Sequence, residues 1–221
     1  MELVDLTIPL GTGMPVYPGD PQVRIAPALT TAADGVNLQR LHLGSQSGTH
    51  VDAPFHIDDA LPGLEEMPLE QFTGPAVVMD VRGLPPRALI GPRLLPPGLR
   101  PGVVLLIATG WAAHWGTEEY LAHPYPSPET AEAIVAAGVR TVGIDAPSVD
   151  RTPPPGDHSF SLAAHRVLCA AHAVIAENLT GLDRLLEAQA AGARIEVSLF
   201  PIRLAGDGAP IRAVARLTSA R

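Results

Sequence analysis

Short apolar runs, separated by proline and glycine, recur along the chain. Four of them contain four to six residues, several β-branched: 76–81, 103–108, 139–144 and 173–176. Continuous apolar runs of this length are typical of strands that are buried on both faces, although periodicity alone does not exclude a short buried helix. We therefore predict a sheet whose central strands are covered on both sides.

A second pair of apolar segments lies near the C-terminus. Residues 194–204 and 211–217 flank the segment 205–210, which contains two glycines, an aspartate and a proline. Turn-forming residues between two strand-like segments predict a closing hairpin, here with a loop longer than the tightest type.

One helix has clear signals at both ends. Ser127 and Pro128 form a good N-cap and first-turn pair for a helix over 129–137, and Gly138 is placed to end it. This segment is the first of three predicted helices.

Two further helices are predicted after residue 150. Thr180 and Asp183 resemble a capping box that opens a helix over 182–191, with Gly192 as its stop. The last predicted helix covers 160–171. Its shared face would carry Leu162, His165, Leu168 and Cys169.

These elements predict an α/β fold of mixed sheets with flanking helices. The proline-rich segments 96–98 and 153–156 are loops that could join two domains. However, 221 residues with 46% hydrophobic side chains suit one large core. We therefore expect residues 1–221 to form a single domain.

The composition excludes several classes of chemistry. All 15 basic residues are arginine, which excludes a Schiff-base lysine and a phosphate loop that depends on lysine. The single cysteine, Cys169, cannot close an internal disulfide or build a zinc finger. A net charge of −8 disfavours nucleic acid and anionic membrane surfaces as partners. No apolar run approaches the ~18 residues of a membrane span, so we expect a cytoplasmic protein.

The densest group of ligand-type residues lies between positions 46 and 56. In an extended segment, residues two apart point the same way, so His50 and Asp52 would present an imidazole and a carboxylate to one point. Pro54 forces a change of direction, after which His56 can turn back toward that point. This spacing indicates a metal site, although such a group can also arise by chance in a chain with eight histidines.

A second pair of residues would complete such a site. His165 lies on the apolar face of the predicted helix 160–171, and Glu177 follows the apolar run 173–176. A carboxylate at the C-terminal end of a buried strand is common in α/β active sites and costly if unpaired. A cation shared with His50 and Asp52 would explain all four positions.

Residues 47–56 resemble the H-x-G-T-H-x-D-x-P-x-H motif of the metal-dependent cyclase/hydrolase family that includes bacterial kynurenine formamidase and isatin hydrolase. Other segments match the family in the same order along most of the chain. They are 17–21, 72–78, 143–150, 164–166, 177–179 and 207–212. Because several ordered matches are more specific than one, the chain is identified as a member of this family.

The resemblance implies the swivelling, barrel-like β/β/α fold of the family, a set of metal ligands and a catalytic histidine. The implied ligands are His50, Asp52, His165 and Glu177, and the implied catalytic residue is His56. Gln46 stands where the family usually has a further histidine, and it can offer only an amide oxygen, which is a weaker ligand. The resemblance therefore implies a divalent metal, Zn or Mn, with one or two ions.

The activity implied by the resemblance is hydrolysis of an amide, formamide or lactam carbonyl by a metal-activated water. An arylformamidase that hydrolyses N-formylkynurenine, in tryptophan catabolism, is the first choice. Isatin hydrolase-like or other ring-opening activity is an alternative, as is a metal-stabilised binding protein without catalysis. A Ser-His-Asp hydrolase lacks support because the sequence contains no G-x-S-x-G elbow. The resemblance also implies a homodimer or homotetramer.

A few other polar and aromatic side chains are candidates for weaker roles. The implied substrate is a small aromatic amide or lactam, and four side chains could stack on it: Tyr17, Phe55, Phe72 and Trp111. Asp145, Ser148 and Asp150 could orient a ligand histidine or simply build a turn. The remaining histidines are expected to be structural or exposed: His42, His114, His123, His158 and His172.

Overall fold

The computed structural model describes residues 1–153, 159 and 161–219. These residues form four α-helices and thirteen strands, joined by loops and short 3-10 turns. The helices are α1 (Thr31–Asp34), α2 (Pro128–Ala136), α3 (Ala163–Ala170) and α4 (Leu182–Ala190). The strands are β1 (Glu2–Asp5), β2 (Arg24–Leu29), β3 (Leu38–His42), β4 (His50–Asp52), β5 (Thr73–Asp80), β6 (Leu89–Ile90), β7 (Val104–Ala108), β8 (Tyr125–Pro126), β9 (Thr141–Ile144), β10 (Val174–Glu177), β11 (Arg194–Ser198), β12 (Gly208–Pro210) and β13 (Val214–Thr218).

Nine of these strands form one mixed sheet, in the order β1-β13-β11-β5-β7-β9-β10-β4-β12. The four central strands, β5, β7, β9 and β10, run parallel to one another. The strands on either side of them pair antiparallel. The other strands form two small sheets, β2 with β3 and β6 with β8. The sheet is thus parallel at its centre and antiparallel toward its edges.

The large sheet curls into a half-barrel, so that the chain after β1 reaches the end of β10. The backbone N–H of Leu6 donates to the carbonyl of Ala213 at 2.9 Å, and that of Thr180 donates to the carbonyl of Leu6 at 3.0 Å. Thr7 forms an antiparallel bridge with Leu179. One short segment therefore ties the β13 side of the sheet to the residues that follow β10.

Alternate side chains of the central strands pack into two separate cores. Leu106 of β7 packs on one face, in the same cluster as Leu185 of α4. Its neighbour Leu105 packs on the other face, with Ile134 of α2 and Leu168 of α3. Because successive side chains of a strand point to opposite faces, both faces of the parallel strands are buried, as the uninterrupted apolar runs predicted.

The structure confirms all four apolar runs as strands, which are β5, β7, β9 and β10. It also confirms the first helix, α2. Its N-cap is Ser127, whose hydroxyl oxygen accepts a hydrogen bond from the backbone N–H of Thr130 at 3.3 Å.

The predicted capping box at Thr180 is wrong. Helix α4 begins at Leu182 after Gly181, which has a left-handed φ of 70° and provides no side-chain cap. The backbone of Thr180 instead extends the sheet by bonding to Leu6. The pairing of the curled sheet therefore overrides the local cap signal.

Helix α3 begins at Ala163, later than the predicted residue 160, and Phe160 lies outside the described residues. The carboxylate of Asp150 accepts hydrogen bonds from the backbone N–H groups of Ala164 and His165, both at 2.9 Å. A residue distant in sequence thus satisfies the first turn of this helix, which a local pattern cannot reveal.

The predicted C-terminal hairpin is present, since β11 and β13 pair antiparallel. The segment between them is more than a loop, because Gly208–Pro210 forms β12 and pairs with β4 at the far edge of the sheet. This pairing carries Asp207 toward the residues between positions 46 and 56. Within the described part of the chain, no helix is both long and apolar enough to cross a lipid bilayer.

Candidate metal centre and active site

Two strands bring three ligand-type side chains together. Strand β4 carries His50 and Asp52, and its antiparallel register with β10 places Glu177 opposite His50. The Nε2 atom of His50 lies 3.4 Å from Oδ1 of Asp52 and 3.6 Å from Oε2 of Glu177. All three residues are at least 95% buried. The spacing of two residues along an extended strand thus has the predicted effect.

Helix α3 adds His165 to the group. Its Nε2 atom lies 3.6 Å from Oδ2 of Asp52 and 3.5 Å from Oε1 of Glu177. Its other ring nitrogen, Nδ1, lies 2.8 Å from Oδ2 of Asp150. Asp150 therefore caps the helix and also directs Nε2 of the imidazole toward the two carboxylates, an outer-sphere arrangement common around metals. The four predicted ligands lie at one point, which we call the ligand cluster: His50, Asp52, His165 and Glu177.

The ligand cluster fits a cation because no hydrogen bond from the described residues satisfies Asp52. Both of its carboxylate oxygens are buried, and in the part of the chain that the structure describes no group donates a hydrogen bond to either. A buried carboxylate without partners is strongly destabilising unless a positive charge neutralises it. His50, Asp52 and Glu177 each offer a ligand atom within 4.8 Å of the others. The chemistry of these donors, nitrogen and carboxylate oxygen, suits zinc or manganese.

The protonation of the two histidines shows the same excess of negative charge. Burial by itself lowers the pKa of His50, but Asp52 and Glu177 outweigh it and raise this pKa to about 9. Burial likewise opposes the charge on His165, yet the hydrogen bond to Asp150 and the nearby carboxylates of Asp52 and Glu177 raise its pKa to about 10. The carboxylates thus attract positive charge, whether it arrives as protons or as a metal ion.

His56 lies beside the ligand cluster but outside it. The 3-10 turn Pro54–His56 follows β4 directly, and the ring centroid of His56 is 5.8 Å from that of His165. About 30% of its side chain is exposed, and it lines a cavity of about 650 Å³. Its Nδ1 atom lies 3.4 Å from Nε2 of Gln46 and 3.7 Å from Oδ2 of Asp207. His56 can therefore reach a molecule in the cavity.

Gln46 also lines this cavity, and its amide nitrogen is tied to Asp207. Nε2 of Gln46 donates to Oδ2 of Asp207 at 2.9 Å, and the hydroxyl of Ser45 donates to the same oxygen at 2.8 Å. Asp207 was not among the predicted site residues. It reaches the site because β12 pairs with β4, a contact between distant segments that no local pattern encodes.

The structure separates the four aromatic candidates. Tyr17 lines the cavity, whereas Phe55, Phe72 and Trp111 are not part of its wall. Phe72 is 1% exposed and packs in the core, and the indole of Trp111 is buried with its N–H donating to the carbonyl of Glu119. Phe55 is 37% exposed, but on a surface outside the cavity. The structure therefore places one of the four predicted stacking residues, Tyr17, at the cavity and the other three away from its wall.

Two other aromatic residues form the wall instead. Trp115 and Tyr120 line the cavity and pack edge to face, with ring centroids 5.1 Å apart. Both lie in or beside short 3-10 turns, Trp111–His114 and Glu118–Ala122, which have no long apolar period. The sequence signal for these wall residues is weak, because nothing local distinguishes an aromatic residue of a wall from one of a core.

The other described histidines, apart from His56, lie outside the ligand cluster and the cavity wall. His123 is buried, and its ring nitrogens contact the carbonyl of Pro124 and the hydroxyl of Thr152. Burial lowers the pKa of His123 to about 4, so it is neutral and structural, as predicted. His42 and His172 are exposed, and His114 pairs with Glu119. His158 lies outside the described residues.

Comparison with known proteins agrees with this geometry. The Cyclase family model matches residues 4–151, more than half of the chain. The chain belongs to the Cyclase family. Among its relatives, a kynurenine formamidase of Salinibacter ruber is 33% identical, with 98% of each chain covered. A kynurenine formamidase of Bordetella petrii is 29% identical, with 97% of each chain covered.

A solved structure has the same fold. Isatin hydrolase A from Labrenzia aggregata superposes with a TM-score of 0.83 at 21% identity, covering 99% of this chain and 94% of that one. The predicted family and the mixed α/β fold are therefore confirmed. At this level of identity the superposition supports the fold alone.

We predict that the chain binds a divalent metal more tightly as the pH rises. Without metal, His50 and His165 hold protons with pKa values of about 9 and about 10, and a cation must displace them. The affinity for Zn²⁺ should therefore fall as the pH decreases from about 8 to about 6, by up to about tenfold per unit for each displaced proton.

Calorimetric titration in buffers of different ionisation enthalpy would count the released protons at each pH. Asp52→Asn, which removes a charged ligand, is the control that should bind weakly throughout. Release of no protons, with an affinity independent of pH, would contradict the protonation of both histidines.

Proposed function

We propose that the chain hydrolyses a non-peptide C–N bond of an aromatic amide, with an arylformamide such as N-formylkynurenine as substrate. The observation that carries this proposal is the buried ligand cluster beside His56, in the wall of a cavity. The relationship to proteins named kynurenine formamidase over nearly the whole chain supports the choice of reaction.

A divalent cation, when bound by the ligand cluster, supplies water of lowered pKa and polarises the carbonyl group under attack. Hydrogen bonds from neighbouring residues hold these ligands on the side that faces away from the cation site. Asp150 fixes His165, and the backbone N–H of Val149 donates to Oε1 of Glu177 at 2.8 Å. Zn²⁺ and Mn²⁺ both suit two imidazoles and two carboxylates, and metal analysis of the purified protein would identify the ion.

His56 moves the protons of the reaction. Its Nδ1 atom faces Gln46 and Asp207, so Nε2 is the nitrogen available to the substrate. An imidazole whose Nδ1 keeps its proton on the side of Asp207 can take a proton from the attacking water at Nε2 and return it to the departing amine. Exchange at a single nitrogen then serves both halves of the reaction.

The cavity wall suits a planar aromatic substrate. A volume of about 650 Å³ is in the usual range for a small-molecule site. Trp115 and Tyr120 provide aromatic surface, and burial raises the pKa of Tyr17 to about 12, so its hydroxyl stays neutral. The same wall would accept a bicyclic lactam, which makes isatin the second substrate to test; isatin hydrolase A shares the fold.

We further propose that one cation binds tightly. Gln46 occupies the position at which the family motif usually has a histidine; its amide nitrogen donates to Asp207, and the amide oxygen that is left is a weaker ligand than imidazole. The ligand cluster is complete without Gln46. These four ligands would therefore hold a single ion.

We also propose that the chain forms a homodimer through the β2–β3 hairpin. Every residue of β3 is exposed. Three apolar residues of the hairpin are more than half exposed: Val36, Leu38 and Leu41. An isolated hairpin is marginally stable in water, and exposed apolar patches are typical of interfaces. Burial against a second copy would stabilise this hairpin.

We predict that His56→Ala lowers kcat for N-formylkynurenine by about 10²–10⁴-fold, because the proton carrier is lost. Its metal content should not change, since His56 is not in the ligand cluster. His114→Ala, which removes a histidine outside the cavity wall, is the matched control and should keep full turnover. Hydrolysis rates and bound metal are measured on the same samples.

The outcomes of this experiment distinguish a metal-dependent hydrolase from a metal-stabilised binding protein, and a catalytic role of His56 from a role as a ligand. Loss of metal in His56→Ala would contradict the division between ligands and catalyst. Wild-type protein that binds metal but hydrolyses neither N-formylkynurenine nor isatin would favour a metal-stabilised binding protein.

We predict that wild-type protein and Gln46→Ala each bind one tight equivalent of Zn²⁺, because Gln46 is not a ligand. Gln46→His, which restores a nitrogen donor, should gain a second equivalent. Equilibrium dialysis with metal analysis measures the stoichiometry. Two tight ions in the wild type, or metal loss in Gln46→Ala, would contradict a single-ion centre.

We predict that Leu38→Asp shifts the protein from dimer to monomer, because it buries a charge in the proposed interface. Leu69→Asp adds the same charge at an exposed leucine outside the hairpin and should leave the dimer intact. Sedimentation velocity measures both. A monomeric wild type at about 10 μM would contradict the interface.

A further inference from the structure

Asn178 follows the ligand Glu177 and has an unusual backbone conformation. Its φ is 55°, in the left-handed region, where asparagine is better tolerated than most residues other than glycine. Its backbone N–H donates to the carbonyl of Ala146 at 2.9 Å, and its carbonyl accepts from the hydroxyl of Thr49 at 2.6 Å. The residue is 7% exposed, so its backbone is held firmly beside the ligand cluster.

Both ends of the Asn178 side chain are also engaged. Nδ2 donates to the carbonyl oxygen of Gly48 at 2.9 Å, and Oδ1 accepts from the hydroxyl of Tyr120 at 2.8 Å. The orientation of the amide follows from chemistry, because a carbonyl can only accept and therefore requires the NH₂ group. The hydroxyl of Tyr120 must then be the donor at the other end.

The same carbonyl of Gly48 contacts the ligand His50. Nδ1 of His50 lies 2.8 Å from this oxygen, so Nδ1 carries a proton and Nε2 is directed toward Asp52 and Glu177. Gly48 has a φ of 65°, and a Cβ atom there would lie 2.7 Å from Cδ2 of Leu10. The backbone at Gly48 thus adopts a conformation that is strained for other residues, and its carbonyl is shared by His50 and Asn178.

We propose that Asn178 is a positioning residue for the metal ligand His50. It fixes the carbonyl of Gly48, and this carbonyl fixes the tautomer and the ring plane of His50. Tyr120, a residue of the cavity wall, connects to the same amide, so the wall and the ligand belong to one chain of hydrogen bonds. This inference rests on the proposed metal centre and assigns a role to a residue that is neither ligand nor proton carrier.

Asparagine meets two requirements that few residues combine. It tolerates the left-handed backbone, and it presents a donor to Gly48 and an acceptor to Tyr120 at once. Glycine meets the first requirement alone. Asn178→Gly therefore deletes the amide without straining the backbone, which isolates the contribution of the two side-chain hydrogen bonds.

The experiment compares the Zn²⁺ affinity of wild-type protein, Asn178→Gly and Asn178→Ala by competition with a chelator. Both variants should lose about 10–100-fold in affinity, the range typical of residues that orient metal ligands. The visible absorption spectrum of the Co²⁺-loaded protein should change as well, because the imidazole is free to rotate. A similar loss in both variants assigns the effect to the amide rather than to the backbone.

A matched control distinguishes positioning from a general structural role. The amide of Gln189 also makes two hydrogen bonds, because its oxygen accepts from the backbone N–H of Val78 and its nitrogen donates to the carbonyl of Val78, each at 2.8 Å. Gln189 belongs to α4, which packs on the opposite face of the sheet from α3, the helix that carries His165. Gln189→Ala should lower the thermal stability of the metal-free protein and leave both Zn²⁺ affinity and the Co²⁺ spectrum unchanged. Tyr120→Phe, which keeps the bond from Asn178 to Gly48, should lower the affinity less than Asn178→Gly does.

Folded Asn178→Gly or Asn178→Ala protein with wild-type Zn²⁺ affinity and an unchanged Co²⁺ spectrum would overturn the inference while leaving the proposed function intact. Equal loss of affinity in Gln189→Ala would also overturn it, because the effect would then be one of stability. Wild-type protein that binds no Zn²⁺ or Co²⁺ would overturn both the inference and the proposed metal-dependent function.

Discussion

Asp52 is buried with two carboxylate oxygens that accept no hydrogen bond from the described residues, and the arrangement of the site follows from this constraint. Its strand, β4, is paired on both edges, so the carboxylate cannot turn toward water without breaking the sheet. Its charge must be met inside the protein. His50 and His165 lie within 3.6 Å of it, and both are directed toward it by hydrogen bonds on their far sides. Such outer contacts hold a ligand set in place before a cation binds.

The ligand cluster could be predicted because each of its members obeys a short-range rule. His50 and Asp52 share a face through the two-residue period of a strand, and Glu177 ends an apolar run whose identity as a strand the structure confirms. His165 lies on the apolar face of a helix. Family resemblance and geometry agree on these positions for independent reasons.

The residues that were missed depend on contacts between distant parts of the chain. Asp207 reaches the site through the pairing of β12 with β4, and Asn178 gains its role from Gly48 and Tyr120. Phe72 illustrates a different limit, because composition identifies an aromatic residue but does not tell whether it faces a cavity or a core. The capping signal at Thr180 was misleading for the same reason that Asp207 was missed. The backbone of Thr180 pairs with Leu6, which is distant in sequence, and this pairing replaces the predicted capping bond.

The position of β4 in the sheet has a consequence for folding. This strand has three residues, and both of its partners, β10 and β12, follow it by more than 100 residues in the chain. During synthesis, β4 therefore has two unpaired edges until nearly the whole chain is available, and unpaired edges favour association with other chains. Contacts of such long range also make folding slow. The metal centre is consequently among the last parts of the molecule to form, and the protein must reach most of its folded structure before it can hold a cation.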